Sequence, residues 1–194
     1  MKEIVIATQN KHKIVELKKM LEPLGYTVFT LLDYPDVPEI VEDGYTFRMN
    51  AFKKAQTLSN IIHKDVVADD SGLEVIALNN EPGIYSARYA GEGVSYEDNN
   101  ALLIKNMVGI KERDARFVTT ICLVRLQQEP LYFEGYLNGF IAEEYKGENG
   151  FGYDPIFKLE DGRHLAELTL EEKNIISHRA QSMSALIKYL KTIQ

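Results

Sequence analysis

The chain has 194 residues, and its 22 Lys and Arg against 29 Asp and Glu give a net charge of −7. An acidic chain of this kind lacks the broad basic face that bulk nucleic-acid binding requires, although a few local cations can hold a small polyanion. Its single cysteine, Cys122, excludes an intrachain disulfide, and the lack of a membrane-length apolar run or a signal peptide leads us to expect a cytoplasmic protein with no membrane partner.

The first quarter of the chain alternates strand and helix patterns. A β-branched run over residues 3–8 predicts a strand, and apolar residues at helical spacing from Ile14 predict a helix that stops at Gly25. Residues 27–32 predict a second strand. A long amphipathic helix follows, with Thr46 as its N-cap. Its apolar face carries Phe47, Ala51, Ala55, Leu58 and Ile62.

Short strands and a helix are predicted in the middle of the chain. Residues 66–68 form an apolar run, and residues 73–78 form another. The polar segment 69–72 between them is predicted to contain a tight turn, which Asp69 and Asp70 precede. Residues 96–107 then predict a helix, so the chain continues to alternate between the two kinds of element.

The last third predicts a hairpin and two helices. Residues 115–126 and 131–141 read as the strands of a long hairpin. Thr169 begins a capping box for a short helix, and the last helix starts near Ser177. Together the elements predict an α/β fold, a single domain containing a long twisted mixed sheet flanked by helices.

The first predicted strand is joined to the first predicted helix by a segment rich in cations. It consists of Thr8, Gln9, Asn10, Lys11, His12 and Lys13. Lysines are unfavourable at a helix start, where unpaired N–H groups already carry partial positive charge. A bound anion would remove that conflict, and strand-loop-helix geometry suits phosphate. The segment fits a phosphate site and, equally, a solvated lysine cluster.

Two adjacent carboxylates, Asp69 and Asp70, follow the apolar run at 66–68. Near a low-dielectric interior such groups disfavour each other's ionisation. A divalent cation relieves the repulsion, and Mg²⁺ is held by one or two carboxylates with waters and substrate phosphates. An Asx-type turn is the alternative, and it explains one aspartate better than two. We interpret the pair as a metal site, to which Glu42 offers a further carboxylate.

Two later segments also contain candidate ligand-binding residues. Residues 150–155 place Phe151 and Tyr153 among glycines, which let a backbone approach a ligand, while an exposed aromatic ring offers a base a stacking face. Packing of this loop on the core is the alternative. His178 and Arg179 again put cations at a helix start, and an arginine can fork onto a phosphate or a carbonyl.

Eight motifs occur in one order over nearly the whole chain. They are Thr8-x-Asn10-x-x-Lys13, Glu42-x-Gly44-x-Thr46-Phe47, Asn50-Ala51-x-x-Lys54-Ala55, Ala68-Asp69-Asp70-Ser71-Gly72-Leu73, residues 82–89, residues 150–157, Glu172-Lys173 and Ile176-Ser177-His178-Arg179. In this order they resemble the inosine triphosphate pyrophosphatase family, which hydrolyses deaminated purine nucleotides. The resemblance implies a homodimer of two-lobed α/β chains, each with a central cleft for the nucleotide.

The resemblance also implies roles for residues. Asp70 is the general base and, with Glu42, a Mg²⁺ ligand, while Asp69 supports the turn or the metal's outer shell. Ser71 lies at the substrate, and Phe151 stacks on the base. The triphosphate is assigned to Thr8, Gln9, Asn10, Lys11, His12, Lys13 and Lys54. The base pocket and purine edge are assigned to Gly152, Tyr153, Asp154, Lys173, His178 and Arg179.

The implied activity is Mg²⁺-dependent hydrolysis of ITP, dITP or XTP to the monophosphate and pyrophosphate. The chain departs from the family pattern at Gln9 and His12, where glycine is common, and at Met49, where glutamate is common. Two other readings stay open. One is a pyrophosphatase for pyrimidine or methylated nucleotides, and the other is a nucleotide-binding sensor without turnover.

Overall fold

The computed structural model describes residues 2–193, apart from the side chains of Lys11, His12 and Glu16. Its strands are β1 (Lys2–Ile6), β2 (Tyr26–Thr30), β3 (Val66–Val75), β4 (Asp114–Val124), β5 (Leu131–Ile141) and β6 (Phe157–Lys158). Its α-helices are α1 (Lys11–Leu21), α2 (Phe47–Ile62), α3 (Tyr96–Asn106), α4 (Leu170–Ile176) and α5 (His178–Thr192). The predicted α/β class is confirmed. Within the described residues, no helix is both long and apolar enough to cross a bilayer.

The six strands form one mixed sheet in the order β2-β1-β3-β4-β5-β6. β1 pairs in parallel with β2 and β3, whereas β5 and β6 are antiparallel. β4 and β5 are neighbours joined by residues 125–130 alone. A parallel crossover needs a dozen or more residues, so this connection makes them the antiparallel hairpin that the sequence predicts.

The chain divides into two compact units. The first comprises Met1–Asp70, Thr119–Glu134 and Ser182–Gln194, and the second comprises Ser71–Val118 and Gly135–Gln181. Three strands, β3, β4 and β5, contribute residues to both units. Each unit has its own hydrophobic core. Cys122 is buried in the core of the first unit.

Strand alternation sorts the core of the first unit into two sides. The cluster that includes α1 contains Ile4, Ile6, Leu17, Leu21 and Val67. The cluster that includes α2 contains Val5, Ala7, Ala51, Ala55, Val66 and Ala68. Successive side chains of a strand point to opposite faces, so α1 and α2 cover opposite faces of the parallel strands. This division determines which of the two helices is faced by each side chain that follows Ala68 in β3.

The ends of the helices follow the predicted caps. Thr46 accepts a hydrogen bond from the Met49 N–H group at 3.1 Å, as an N-cap of α2 does. Thr169 and Glu172 form the predicted capping box of α4. Gly25 adopts φ +79°, a conformation that glycine reaches without strain, and separates the end of the first helical segment from β2.

β3 departs most from the sequence prediction. The turn predicted at 69–72 is wrong, because Val66–Val75 is one ten-residue strand with Asp69 and Asp70 in its middle. The predicted strand over 73–78 is instead the end of β3, followed by a 3₁₀ turn at Ile76–Leu78. Carboxylates are costly to bury without partners, and here the helices on both faces supply partners, so the strand continues through them.

Candidate active site

A cluster of two lysines and three carboxylates lies in the first unit. We call it the acid–lysine cluster, and it consists of Lys13, Glu42, Lys54, Asp69 and Asp70. Asp69 follows Val67 on the α1 face of β3, whereas Asp70 follows Ala68 on the α2 face. Accordingly, Lys13 of α1 forms an ion pair with Asp69, and Lys54 of α2 approaches Asp70. The two aspartates therefore have different partners.

The carboxyl of Asp70 is held by two groups of α2. Asn50 Nδ2 donates a hydrogen bond to Asp70 Oδ2 at 3.0 Å, and Lys54 Nζ lies 4.0 Å from Asp70 Oδ1. Burial raises the pKa of Asp70 from 3.8 to about 6, although the Lys54 charge and the Asn50 hydrogen bond oppose the rise. A carboxyl with a pKa near neutrality is suited to accept a proton from water.

Lys54 lies between two carboxylates. Its Nζ is 2.9 Å from Glu42 Oε2 as well as 4.0 Å from Asp70 Oδ1, and the side chain is only 14% exposed. Burial lowers the pKa of Lys54, but the charges of Asp69, Asp70 and Glu42 outweigh burial and leave the pKa raised. The ammonium therefore stays charged and neutralises the carboxylates around it.

The donor set of this cluster fits Mg²⁺ as a partly protein-held ion. Glu42 and Asp70 already converge on one cation, the Lys54 ammonium. Among the described residues, no group of three or more His, Cys, Asp or Glu side chains is arranged to hold a metal. Mg²⁺ needs no such group, because it keeps waters and takes further oxygen ligands from substrate phosphates. Glu42 and Asp70 would be the protein ligands.

Asn50 is a member of this site for which the sequence motifs predicted no role. Its Oδ1 accepts a hydrogen bond from the Gly44 N–H group at 2.8 Å, while its Nδ2 holds Asp70. A Cβ at Gly44 would lie 2.7 Å from that oxygen, so the close approach requires glycine. Asn50 lies three residues after Phe47 on the buried face of α2. A polar residue on that face was a signal available in the sequence.

The segment before α1 has the predicted strand-loop-helix form. Thr8 Oγ1 accepts from the Asn10 N–H group at 3.2 Å, and Asn10 Oδ1 accepts from the Lys13 N–H group at 3.3 Å. Gln9 is exposed. Lys11 and His12 belong to the first turn of α1, but their side chains lie outside the described part of the chain. Phosphate binding here stays a prediction.

The second unit holds a glycine-rich loop organised around one carboxylate. We call residues 150–154 the aromatic loop. Asp154 is buried, accepts a hydrogen bond from the Phe151 N–H group at 2.9 Å and forms an ion pair with Lys173. Gly150 has φ +79°, and a Cβ there would overlap the Asp154 carboxylate. Asp154 thus closes the loop and keeps Lys173 beside it.

Phe151 is the exposed ring of the aromatic loop. It is 45% exposed, and Lys173 Nζ lies 4.9 Å from its ring centroid. Tyr153, in contrast, is buried in the core, where burial raises the pKa of its hydroxyl, which donates to the Ser86 carbonyl at 2.8 Å. Asn100 supports the loop by donating to the Gly152 carbonyl at 3.0 Å. Of the two aromatics, Phe151 has the surface that stacking on a base requires.

The start of α5 carries the predicted Ser177, His178 and Arg179. Ser177 Oγ accepts from the Ala180 N–H group at 3.1 Å and caps the helix. The His178 ring is buried and stacks on Phe117, with centroids 4.9 Å apart and planes 11° apart. Arg179 is half-buried, as is Ser71 on β3. Contacts of these residues with a substrate stay predictions.

The fold and these two groups of residues define a mixed α/β protein with chemistry suited to a polyanion and a cation. The model of the Ham1 family matches residues 4–189. The chain therefore belongs to the Ham1 family, and the family resemblance of its motifs is confirmed.

Named relatives agree with this assignment. The dITP/XTP pyrophosphatase of Streptococcus pneumoniae serotype 4 is 46% identical over 195 residues, covering 98% of this chain and 98% of its own. The dITP/XTP pyrophosphatase of Bacillus subtilis is 45% identical over 194 residues, with the same coverage of both chains. The solved structure of the Staphylococcus aureus Ham1 protein matches with a TM-score of 0.95 and 42% identity over 100% of both chains.

Proposed function

We propose that this chain hydrolyses the deaminated purine triphosphates ITP, dITP and XTP to the monophosphate and pyrophosphate. The observation that carries the proposal is the Asp70 carboxyl, which is only 13% exposed, has a raised pKa and lies beside Lys54. The names of relatives that match almost the whole chain support the same reaction. The pyrimidine and sensor alternatives have no comparable support.

The reaction asks mainly for charge neutralisation and for a positioned water. Asp70 accepts a proton from water, the water oxygen forms a bond to the α-phosphorus, and the electron pair of the broken α–β bond leaves with pyrophosphate. Lys13 and Lys54 supply positive charge to the triphosphate. Mg²⁺, held by Glu42 and Asp70, would neutralise charge on the phosphate oxygens.

Recognition of the base is assigned to the aromatic loop and to residues of α4 and α5. Phe151 offers its exposed face for stacking, and the Lys173, His178 and Arg179 side chains offer donors for the 6-keto group of hypoxanthine or xanthine. Adenine presents an amine at that position, so a buried donor would lose its acceptor. This loss is the physical basis of the proposed preference.

The test is pyrophosphate release from ITP, dITP, XTP, GTP, ATP and dTTP, each with Mg²⁺. We expect kcat/KM for ITP and XTP to exceed that for ATP by at least about 100-fold. Comparable rates for all six would contradict purine discrimination. Binding of ITP without pyrophosphate release would contradict the enzymatic function itself.

A pH dependence follows from Asp70. Because burial raises the pKa of Asp70 to about 6, the carboxyl becomes protonated as the pH falls through that value and then cannot accept a proton. At limiting Mg²⁺, where the metal does not hold the pKa of Asp70 down, we expect kcat/KM for ITP to fall over the same range. In Mg²⁺-free buffer, ¹³C NMR of the aspartate carboxyls, assigned with Asp70→Asn, should show a titration near pH 6. A midpoint at 3.8, the ordinary value, would contradict the expectation.

We also propose that the enzyme works as a cytoplasmic homodimer. Closed twofold dimers are the commonest assembly of soluble proteins. Light scattering on the purified chain tests this, and a monomer mass at assay concentration would contradict it.

A further inference from the structure

The acid–lysine cluster contains ion pairs that compete with the ligands of the proposed reaction. Lys54 Nζ is 2.9 Å from Glu42 Oε2 and 4.0 Å from Asp70 Oδ1, and Lys13 is paired with Asp69. Both lysine side chains are largely buried, at 14% and 15% exposure. The carboxylates that a metal would need are thus already neutralised, and the lysines that a triphosphate would need are already engaged.

Either ligand on its own would leave charge uncompensated. Mg²⁺ alone would have to displace the Lys54 ammonium from Glu42 and Asp70, which would leave a buried cation beside a new dication. A triphosphate alone would draw Lys54 away and face the carboxylates without any cation between them. A buried charge that loses its partner is strongly unfavourable. When both ligands arrive together, each charge gains a new partner as it loses the old one.

We propose that Lys54 is an internal counter-ion that exchanges Glu42 and Asp70 for the triphosphate, so that Mg²⁺ and the nucleotide bind with strong positive coupling and neither binds tightly alone. The inference rests on the proposed function, because it takes ITP as the anion. Lys13 has the same role toward Asp69 but faces the other side of β3, away from the proposed metal ligands.

Removing the Lys54 charge is expected to strengthen Mg²⁺ binding to the nucleotide-free protein. Removing a residue that only binds phosphate would not strengthen it. Lys54→Met keeps much of the side-chain length and removes the competing cation. Mg²⁺ should then bind the nucleotide-free protein about tenfold more tightly, while the nucleotide binds less tightly. Lys54→Arg retains the charge and should keep Mg²⁺ binding weak.

Lys53 provides a matched control. It is the preceding residue of α2, it is 38% exposed, and it pairs with Asp43 outside the acid–lysine cluster. Lys53→Met removes one positive charge from the same helix without releasing Glu42 or Asp70. We expect it to leave the Mg²⁺ affinity within about twofold of the wild type, since exposed charges are largely screened.

The experiment is calorimetric titration of Mg²⁺ into wild type and the three variants, with and without the non-hydrolysable inosine 5′-[α,β-methylene]triphosphate. A blank titration subtracts the analogue's own affinity for Mg²⁺. We expect the analogue to tighten Mg²⁺ binding to the wild type by about tenfold or more, and Mg²⁺ to tighten analogue binding by the same factor. Circular dichroism checks that each variant is folded.

Unchanged or weaker Mg²⁺ binding in folded Lys54→Met would overturn the inference, and so would wild-type affinities that do not depend on the second ligand. If Lys54→Met does not fold, tighter Mg²⁺ binding in Lys54→Arg than in the wild type would overturn the inference instead. Failure of the proposed function can be distinguished from failure of this inference. Coupled binding would then persist in a protein that releases no pyrophosphate from ITP.

Discussion

Asp70→Asn is expected to reduce kcat for pyrophosphate release from ITP by roughly 100- to 10,000-fold, the usual contribution of a positioned general base. An asparagine fills the same space between Asn50 and Lys54 but cannot take up the proton of the attacking water. ITP should still bind measurably, because Lys13 and Lys54 are unchanged. Steady-state assays and calorimetry of the variant with ITP measure the two effects separately.

The fold of this variant should be intact. The ordinary pKa of an aspartate is 3.8, and folding raises that of Asp70 to about 6. Stability gained from the protonated carboxyl is therefore present below pH 3.8 and is lost as the pH rises through about 6. Asparagine mimics the neutral form, so Asp70→Asn should be at least as resistant to thermal unfolding as the wild type in Mg²⁺-free buffer at alkaline pH. A lower melting temperature would contradict this account.

Asp69→Asn is the informative comparison for Asp70→Asn. The two residues are neighbours in β3 but face opposite sides, and Asp69 pairs with Lys13. Its replacement should disturb the position of Lys13 and weaken ITP binding, with a much smaller effect on kcat. If Asp69→Asn loses as much kcat as Asp70→Asn, the assignment of proton transfer to Asp70 alone is wrong.

Asp154→Ala is expected to lower the free energy of unfolding by about 3–5 kcal/mol, the cost of removing one partner from a buried ion pair. Asp154 is buried, and its loss leaves the Lys173 ammonium, 16% exposed, without that carboxylate and the Phe151 N–H group without that acceptor. The aromatic loop should loosen, and kcat/KM for ITP should fall with it. Denaturant unfolding and pyrophosphate assays measure the two effects.

Asp161→Ala serves as the control for this change. Asp161 lies in the same unit and also pairs with a cationic side chain, that of Arg163, at 2.8 Å, but both side chains are about half exposed. Solvent screens an exposed ion pair, so this variant should be nearly as stable as the wild type. An Asp154→Ala protein of wild-type stability with a raised KM for ITP would instead indicate that Asp154 contacts the base directly.

Much of the fold could be predicted because helices and strands bury one face at a characteristic period. The spacing of Phe47, Ala51 and Ala55 places α2 within its observed bounds, and Thr46 and Thr169 mark the starts of α2 and α4. The prediction failed at residues 69–72. A run of consecutive polar residues predicts a turn. Here the neighbouring helices supply partners for the carboxylates, so the strand continues.

The sequence by itself determined the class of fold and the family, and it predicted which residues carry chemistry, since periodicity, caps and ordered motifs are all local properties. Only the tertiary structure decided how Asp69 and Asp70 differ. They are adjacent in sequence, yet strand alternation turns one toward Lys13 and the other toward Asn50 and Lys54. Such partners lie far apart along the chain, and a shift of β3 by one residue would exchange them.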